Sequence, residues 1–249
     1  MSSRALLITG ASRGIGRATA RLAARNGWSV GVNYREEASA AAALVEEIAA
    51  SGGRAVAIRC DVSVEADVVA MFDQAANALG PLKAVVVNAG VVAPQARLVD
   101  MSVERMRRVF EVNVLGAYLT AREAARRMSD SAGGAGGSIV LMSSAAARLG
   151  SPNLYVDYAG SKGAIDSMTT GLARELGPEG IRVNAIRPGM IDTDIHAASG
   201  DADRANVVGR SVPLGRPGTA EEVAEAAVWL ISDAASYVTG AILDVSGGR

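Results

Sequence analysis

The stretch that most constrains this chain lies within its first twenty-odd residues. Ala5-Leu6-Leu7-Ile8 is an apolar run of strand length, and TGASRGIG follows at once from Thr9 to Gly16. Ile15, Ala18, Thr19, Leu22 and Ala23 then fall on one face of a helix. Strand, glycine turn and helix in that order bring backbone N–H groups and a helix N-terminus to a phosphate. In such a turn Gly10 allows the sharp bend and Gly14 lets the backbone approach a pyrophosphate. Gly16 lets helix and strand pack closely. The spacing is G-x-x-x-G-x-G, so the turn is one residue longer than in a G-x-G-x-x-G loop. Taken alone, the stretch also reads as a glycine loop that merely turns.

Composition narrows the functional classes. A net charge of -1 and an aromatic content of 4% argue against a general nucleic-acid or membrane-surface binder. The one cysteine, Cys60, cannot form an intrachain disulfide and reads as a small core residue at a strand end. The one histidine, His196, excludes a histidine-rich metal cluster, and no metal is expected. Four apolar residues before Thr9 are too few for a signal-peptide core, and no apolar run reaches membrane-spanning length. A soluble, cytoplasmic protein is the expectation.

Strand-like runs alternate with amphipathic stretches throughout, the pattern of a parallel sheet covered on both faces. Strands are expected at Ser29–Tyr34, Arg54–Cys60, Lys83–Val87, Ser138–Ser143, Ile181–Ile186 and Ala241–Val245. Helices are expected at Glu36–Ala50, from a Ser63 cap to Leu79, and in one piece over about Ser102–Met128. Two more are expected at Tyr155–Leu176 and Thr219–Ser232. The run SDSAGGAGG after Met128 reads as flexible, and Pro188 to Pro217 has no clean period. No linker or repeat interrupts the alternation, so residues 1–249 read as one α/β domain.

At this point the chain resembles the short-chain dehydrogenase/reductase family over nearly its whole length. The pieces that carry the likeness are TGASRGIG (Thr9–Gly16), CDV (Cys60–Val62), VNAG (Val87–Gly90), Asn113 and Ser144. YAGSK (Tyr158–Lys162) and RPG (Arg187–Gly189) complete it. The resemblance implies a doubly wound Rossmann sheet of about seven strands in the order 3-2-1-4-5-6-7. It also implies a substrate lid at about 189–212.

Tyr158 and Lys162, four apart on a helix, project from one face. A phenol with its free pKa near ~10 is a poor base at neutral pH. A lysine ammonium ~4 Å away, at an effective dielectric of ~20, favours the phenolate by ~4 kcal/mol. That would poise the phenol near neutrality. By resemblance, Tyr158 exchanges a proton with the substrate oxygen, and Ser144 hydrogen-bonds that oxygen. Lys162 holds the nicotinamide ribose and depresses the phenol, while Asn113 supports a water relay to Lys162. Asn113 also reads as a helical Asn bonding a neighbouring carbonyl. Ser144 and Tyr158 are fourteen apart, one more than in many members, with SPNLYVD taking up the difference. Ser143 is therefore a rival for the serine role.

The cofactor is expected to be NADP(H), with NAD(H) possible. No acid ends the second strand, where Asn33-Tyr34-Arg35 stands, and Arg13 precedes Gly14. Two guanidinium groups suit a 2′-phosphate. Glu36 and Glu37 read as charges in the first turn of a helix. Ser12 and Ile15 complete the turn. By resemblance Asp61 and Val62 face the adenine, and Asn88, Ala89 and Gly90 line the floor beneath the ribose. Also by resemblance, Pro188 and Gly189 open a loop that closes over nicotinamide and substrate, and Ile191 and Thr193 meet the carboxamide and phosphates.

The reaction expected is hydride transfer between a secondary alcohol and a ketone on a small molecule, as in glucose 1-dehydrogenase-like members. The first alternative is a 3-oxoacyl-[acyl-carrier-protein] reductase. Glu179 at the end of the Tyr158 helix disfavours an acidic carrier, whereas Arg122, Arg126 and Arg127 leave one open. The second is a non-catalytic nucleotide-binding or redox-sensing protein. Apolar residues on two helices, Val112, Leu115 and Leu119 with Ala164, Met168 and Leu172, point to a homotetramer.

Overall fold

In the computed structural model, which describes residues 4–193 and 204–249, β1 (Arg4–Ile8) feeds two cores at once. Ala5 and Leu7 point into one, Leu6 and Ile8 into the other, as the two-residue period of a strand requires. A run without polar alternation is what a strand covered on both faces needs, and these four side chains are fully buried.

The chain continues through α1 (Gly14–Arg25), β2 (Trp28–Tyr34), α2 (Ala38–Ala50), β3 (Arg54–Arg59), α3 (Glu65–Leu79) and β4 (Leu82–Val87). Next come α4 (Val103–Phe110), α5 (Gly116–Met128), β5 (Gly137–Met142), α6 (Ala146–Leu149) and α7 (Val156–Leu176). β6 (Ile181–Pro188), α8 (Arg204–Gly209), α9 (Ala220–Ile231) and β7 (Ile242–Val245) complete it. The seven strands pair in parallel in the order β3-β2-β1-β4-β5-β6-β7. Buried residues of α1, α2 and α9 pack on one face, and those of α3, α5 and α7 on the other. The strand order reverses between β1 and β4, which opens a crevice at the carboxyl ends of these strands.

Several expectations need correcting. Ser63 does not cap α3, which starts at Glu65 after Val64 with no side-chain cap; the Ser63 hydroxyl instead donates to Asp61 Oδ1 at 2.6 Å. Glu36 and Glu37 precede α2, whose first turn carries no acid. The helix expected in one piece over Ser102–Met128 is divided by a π-helical turn at Glu111–Leu115. The glycine run after Met128 is folded, with Gly134 N–H donating to the Ser129 carbonyl and Gly136 N–H to that of Met128, both at 2.9 Å. Of the apolar residues taken to face a neighbouring subunit, Val112, Leu119 and Met168 belong to the protomer's own core, whereas Leu115 is exposed. Of the lid, 194–203 lie outside the described residues, His196 among them. Among the described residues no helix is long and apolar enough to cross a membrane.

Candidate functional site

The glycine turn is held from beneath. Asn33, at the end of β2, accepts the Gly10 N–H on Oδ1 at 3.0 Å and donates from Nδ2 to the carbonyls of Tyr34, Ile58 and Cys60. Asn88, after β4, donates to the carbonyls of Thr9 and Gly10 at 2.9 and 3.0 Å. The Thr9 hydroxyl accepts the N–H groups of Asn88 and Ala89. Gly10 and Gly14 have φ of 62° and 53°, which a side chain would strain. A Cβ on Gly16 would stand 2.5 Å from the Gly10 carbonyl, so helix and turn touch there. No side chain caps the start of α1 at Arg13. Its first N–H groups thus face the cleft formed by Gly10, Ser12, Arg13, Gly14 and Ile15.

This cleft, open to solvent and enclosing about 1130 Å³, runs on past Tyr34, Arg35, Asp61, Val62 and Asn88–Gly90. Its charges already answer one another. Arg35 pairs with Glu36 and lies 3.8 Å from Asp61, while Arg108 of α4 lies 3.7 Å from the same Asp61 oxygen. Asp61 Oδ1 accepts both the N–H and the hydroxyl of Ser63, so only its other oxygen faces the arginines. Buried Asn33 has its side chain engaged with the backbone and is a strut rather than a free donor. Arg108 is a cleft residue that sequence reasoning missed. Nothing local marks it, since it reaches the site only through the packing of α4.

A second open cleft of about 1010 Å³ adjoins the first and shares Ile15, Asn88, Gly90 and Thr193 with it. Ser144, Tyr158 and Lys162 meet here, walled by Met142, Leu149, Pro188, Gly189, Met190 and Ile191. The Ser144 hydroxyl hydrogen-bonds Tyr158 and also accepts the Ala146 N–H at 3.1 Å. Ser143 lines the same cleft, but its hydroxyl donates to Asp166 at 2.6 Å. In the segment before Tyr158, Ser151 and Asn153 are left-handed at φ 47° and 61°.

Burial pushes the Tyr158 phenol up to about 12, against a smaller downward pull from the Ser144 hydrogen bond. Burial also drives the Lys162 ammonium down to about 8, with Asp166 opposing. Lys162 Nζ lies 5.7 Å from the centre of the Tyr158 ring and donates to the Met142 carbonyl at 2.7 Å. Burial thus works against the expected poise of the phenol near neutrality, and against the charge of the lysine as well.

Asn113 sits on the π turn, buried. It accepts the Val91 N–H at 2.8 Å and donates to the Val91 carbonyl and to Ser161. Both ends of its amide are engaged in tying the turn to the loop after β4. Two further pairs hold the catalytic face and were missed by the sequence. Arg187 grips Asp166 through Nε and Nη2 at 3.0 and 2.8 Å, and Arg105 grips Asp157, which also accepts the Tyr158 N–H. Their partners are 21 and 52 residues apart, so no local pattern announces them.

Comparison with known proteins agrees over the full length. A family model described as enoyl-(acyl carrier protein) reductase matches residues 10–249. The chain is 50% identical over 243 residues to the uncharacterized oxidoreductase YgfF of Escherichia coli (strain K12), covering 98% of each. It is 38% identical over 248 residues to glucose 1-dehydrogenase 2 of Bacillus subtilis (strain 168), covering 100% of this chain and 95% of that one. A short-chain type dehydrogenase/reductase from Mycobacterium marinum superimposes with a TM-score of 0.92 at 39% identity, covering 99% of this chain and 95% of that chain.

Proposed function

The chain belongs to the short-chain dehydrogenase/reductase family, and from that premise we propose that it interconverts a secondary alcohol and a ketone on a small molecule with NADP(H). One observation carries the reading. Ser144, Tyr158 and Lys162 converge in an apolar cleft that opens directly onto the glycine turn. The first cleft fits a dinucleotide. There the uncapped N–H groups of α1 would hold its phosphates and Arg13, Arg35 and Arg108 would hold a 2′-phosphate, while Lys162 in the adjoining cleft would hold the nicotinamide ribose. When bound, the nicotinamide supplies or accepts a hydride at the carbon bearing the substrate oxygen.

The protein's own work is to position and to move a proton. Ser144 holds the substrate oxygen against Tyr158, whose O–H gives its proton to that oxygen in reduction and takes one back in oxidation. A phenol at about 12 keeps its proton at every ordinary pH, which suits the reducing direction. Lys162 has three N–H donors and uses one on Met142, leaving others for the ribose and for a relay through water near Asn113.

An acyl-carrier partner is disfavoured by the state of the basic residues near Met128. Arg122 pairs with Glu65, Arg127 with Asp73 and Glu123, and Arg126 with Glu123. Assembly as a homotetramer in the cytoplasm completes the proposal. Exposed Phe110, Leu115 and Tyr118 along α4 and α5, and Trp229, Tyr237 and Leu243 near β7, offer two apolar faces for it. The test is a screen of NADPH oxidation over β-keto thioesters, diketones and ketones beside NADP⁺ reduction with sugars and polyols. Turnover in at least one arm, with NADPH ahead of NADH, is expected. Tight cofactor binding with no turnover anywhere would leave a nucleotide-binding protein instead.

A further inference from the structure

Three guanidinium groups lie near β7; Arg249 alone of them lines the catalytic cleft, and among the described residues it alone lacks a side-chain partner. Arg187 is held by Asp166 and lies 3.9 Å from Asp244; Arg148 lies 3.7 Å from Asp244. Arg249 has no side-chain hydrogen bond or ion pair among the described residues, and its Nη1 is buried without a partner. Arg249 as a whole is half-buried, and leaving its one buried N–H group without an acceptor is costly unless a ligand supplies one.

The backbone around Arg249 is built to put it there. Gly247 and Gly248 take φ of 63° and 91°, which turns the chain back from β7. Three hydrogen bonds then pin the returning segment. The Leu214 N–H donates to the Gly247 carbonyl at 3.1 Å, and Arg148 Nη2 and the Ser246 hydroxyl donate to the Arg249 carbonyl at 2.9 and 3.0 Å. The side chain so placed lines the same cleft as Ser144 and Tyr158. Among the described residues no Asp or Glu lines that cleft, where Arg249 stands as a cationic group beside Lys162.

We propose that Arg249 recognises a carboxylate on the substrate, which makes the substrate class a hydroxy acid and its oxo acid rather than a neutral alcohol. This rests on the oxidoreductase reading and narrows it. The fork of a guanidinium matches two carboxylate oxygens, and the apolar walls between it and Tyr158 leave room for a hydrocarbon frame joining acid to ketone.

The experiment uses the full chain with saturating NADPH. Levulinate and the oxocyclohexanecarboxylates are compared with their methyl esters in the wild type, Arg249→Ala and Arg249→Gln. Binding is read as a shift in melting temperature and turnover as NADPH oxidation. In the wild type the acids should outperform their esters in both readouts. Within each variant that acid-over-ester preference should fall about 10- to 100-fold. Gln keeps N–H donors without the charge, so a fall there as deep as in Ala marks the charge itself. A wild type with no preference for acids, or a preference unchanged in the variants, overturns the proposal. Turnover of neutral ketones without acid preference sinks the carboxylate and spares the oxidoreductase reading. Arg249-dependent binding of acids with no ketone or alcohol turned over does the reverse.

Discussion

At the β2 end of the cleft Arg35 faces Glu36 and Asp61 with its side chain 42% exposed, whereas on β6 Arg187 holds Asp166 of α7 with the two side chains 17% and 14% exposed. The chemistry of the pairs is the same and the consequence is not. An exposed pair contributes about 0.2–1 kcal/mol and is readily exchanged for a ligand's charge. A buried pair need not stabilise the fold against an apolar alternative, yet removing one partner costs several kcal/mol because the other is stranded. The first region is thus a place where a ligand competes, and the second is scaffold for groups whose protonation burial has already altered. Lys162 and Tyr158 stand one step from that scaffold, since Ser143 bridges Asp166 to the Lys162 carbonyl.

The sharpest way to test the division is to remove the reactive hydroxyl and nothing else. Tyr158→Phe should lower turnover by about 10²- to 10⁴-fold, the range of general acid catalysis. Cofactor affinity should stay within about twofold, because Arg13, Arg35 and Arg108, the groups proposed to meet the phosphates, line the other cleft. Stopped-assay kinetics and fluorescence titration read the two quantities. The wild-type pH profile carries a sign as well. With the phenol at about 12, ketone reduction should not decline at alkaline pH until near that value, whereas alcohol oxidation should rise throughout. Ordinary turnover in Tyr158→Phe would end the mechanism.

Next in size is the scaffold itself. Asp166→Ala strands the Arg187 guanidinium and removes the acceptor of the Ser143 hydroxyl. A loss of about 3–5 kcal/mol in urea unfolding is expected. Glu36→Ala, which breaks a pair of the exposed kind, should change stability by less than about 1 kcal/mol. Equal losses would erase the distinction between the regions.

This asymmetry also governs what the sequence disclosed. The apolar strands and the glycine turn were readable because their causes are local, as with Leu6 to Ile8 and with Gly10, Gly14 and Gly16. The Thr219–Glu222 capping box, three residues apart, is local too. Asp166 with Arg187 and Arg105 with Asp157 were not readable, since their partners meet only after folding. The π turn under Asn113 escaped for a different reason. It depends on hydrogen bonds to Val91, not on helix propensity within Glu111–Leu115. Motif order could place Lys162 near Tyr158, but not reveal that burial would push the phenol up and the ammonium down.

The price of that burial can be measured by pH. Lys162 is driven down to about 8 in the folded chain from an ordinary 10.5, so between those values the unfolded chain binds a proton that the folded chain lacks. Stability attributable to this residue therefore rises with pH across the window, by about 3 kcal/mol in full. Cys60 and Tyr158, both pushed up to about 12, act in the opposite sense from pH 9 and 10 upward. The difference between wild type and Lys162→Met isolates the lysine, because the variant keeps the other two. That difference should move in favour of the wild type from pH 8 to 10.5. A flat difference would mean the lysine is not charged at a cost.

The smallest effect belongs to the exposed region and sharpens the comparison most. Arg35→Asp removes one guanidinium and places a third carboxylate beside Glu36 and Asp61. The ratio of NADPH to NADPH-free NADH affinity should fall about tenfold at low salt. It should fall less at high salt, since the screening length shrinks from about 10 Å at 0.1 M to about 3 Å at 1 M. The effect is modest because Arg35 is already partly neutralised, and because Arg13 and Arg108 remain. Glu36→Gln should work the other way, freeing Arg35 and raising the preference for NADPH. The two variants thus move in opposite directions if Arg35 meets the 2′-phosphate. Should neither move the ratio, the preference rests on Arg13 and Arg108 alone, and Arg35 with Glu36 is an ordinary surface pair.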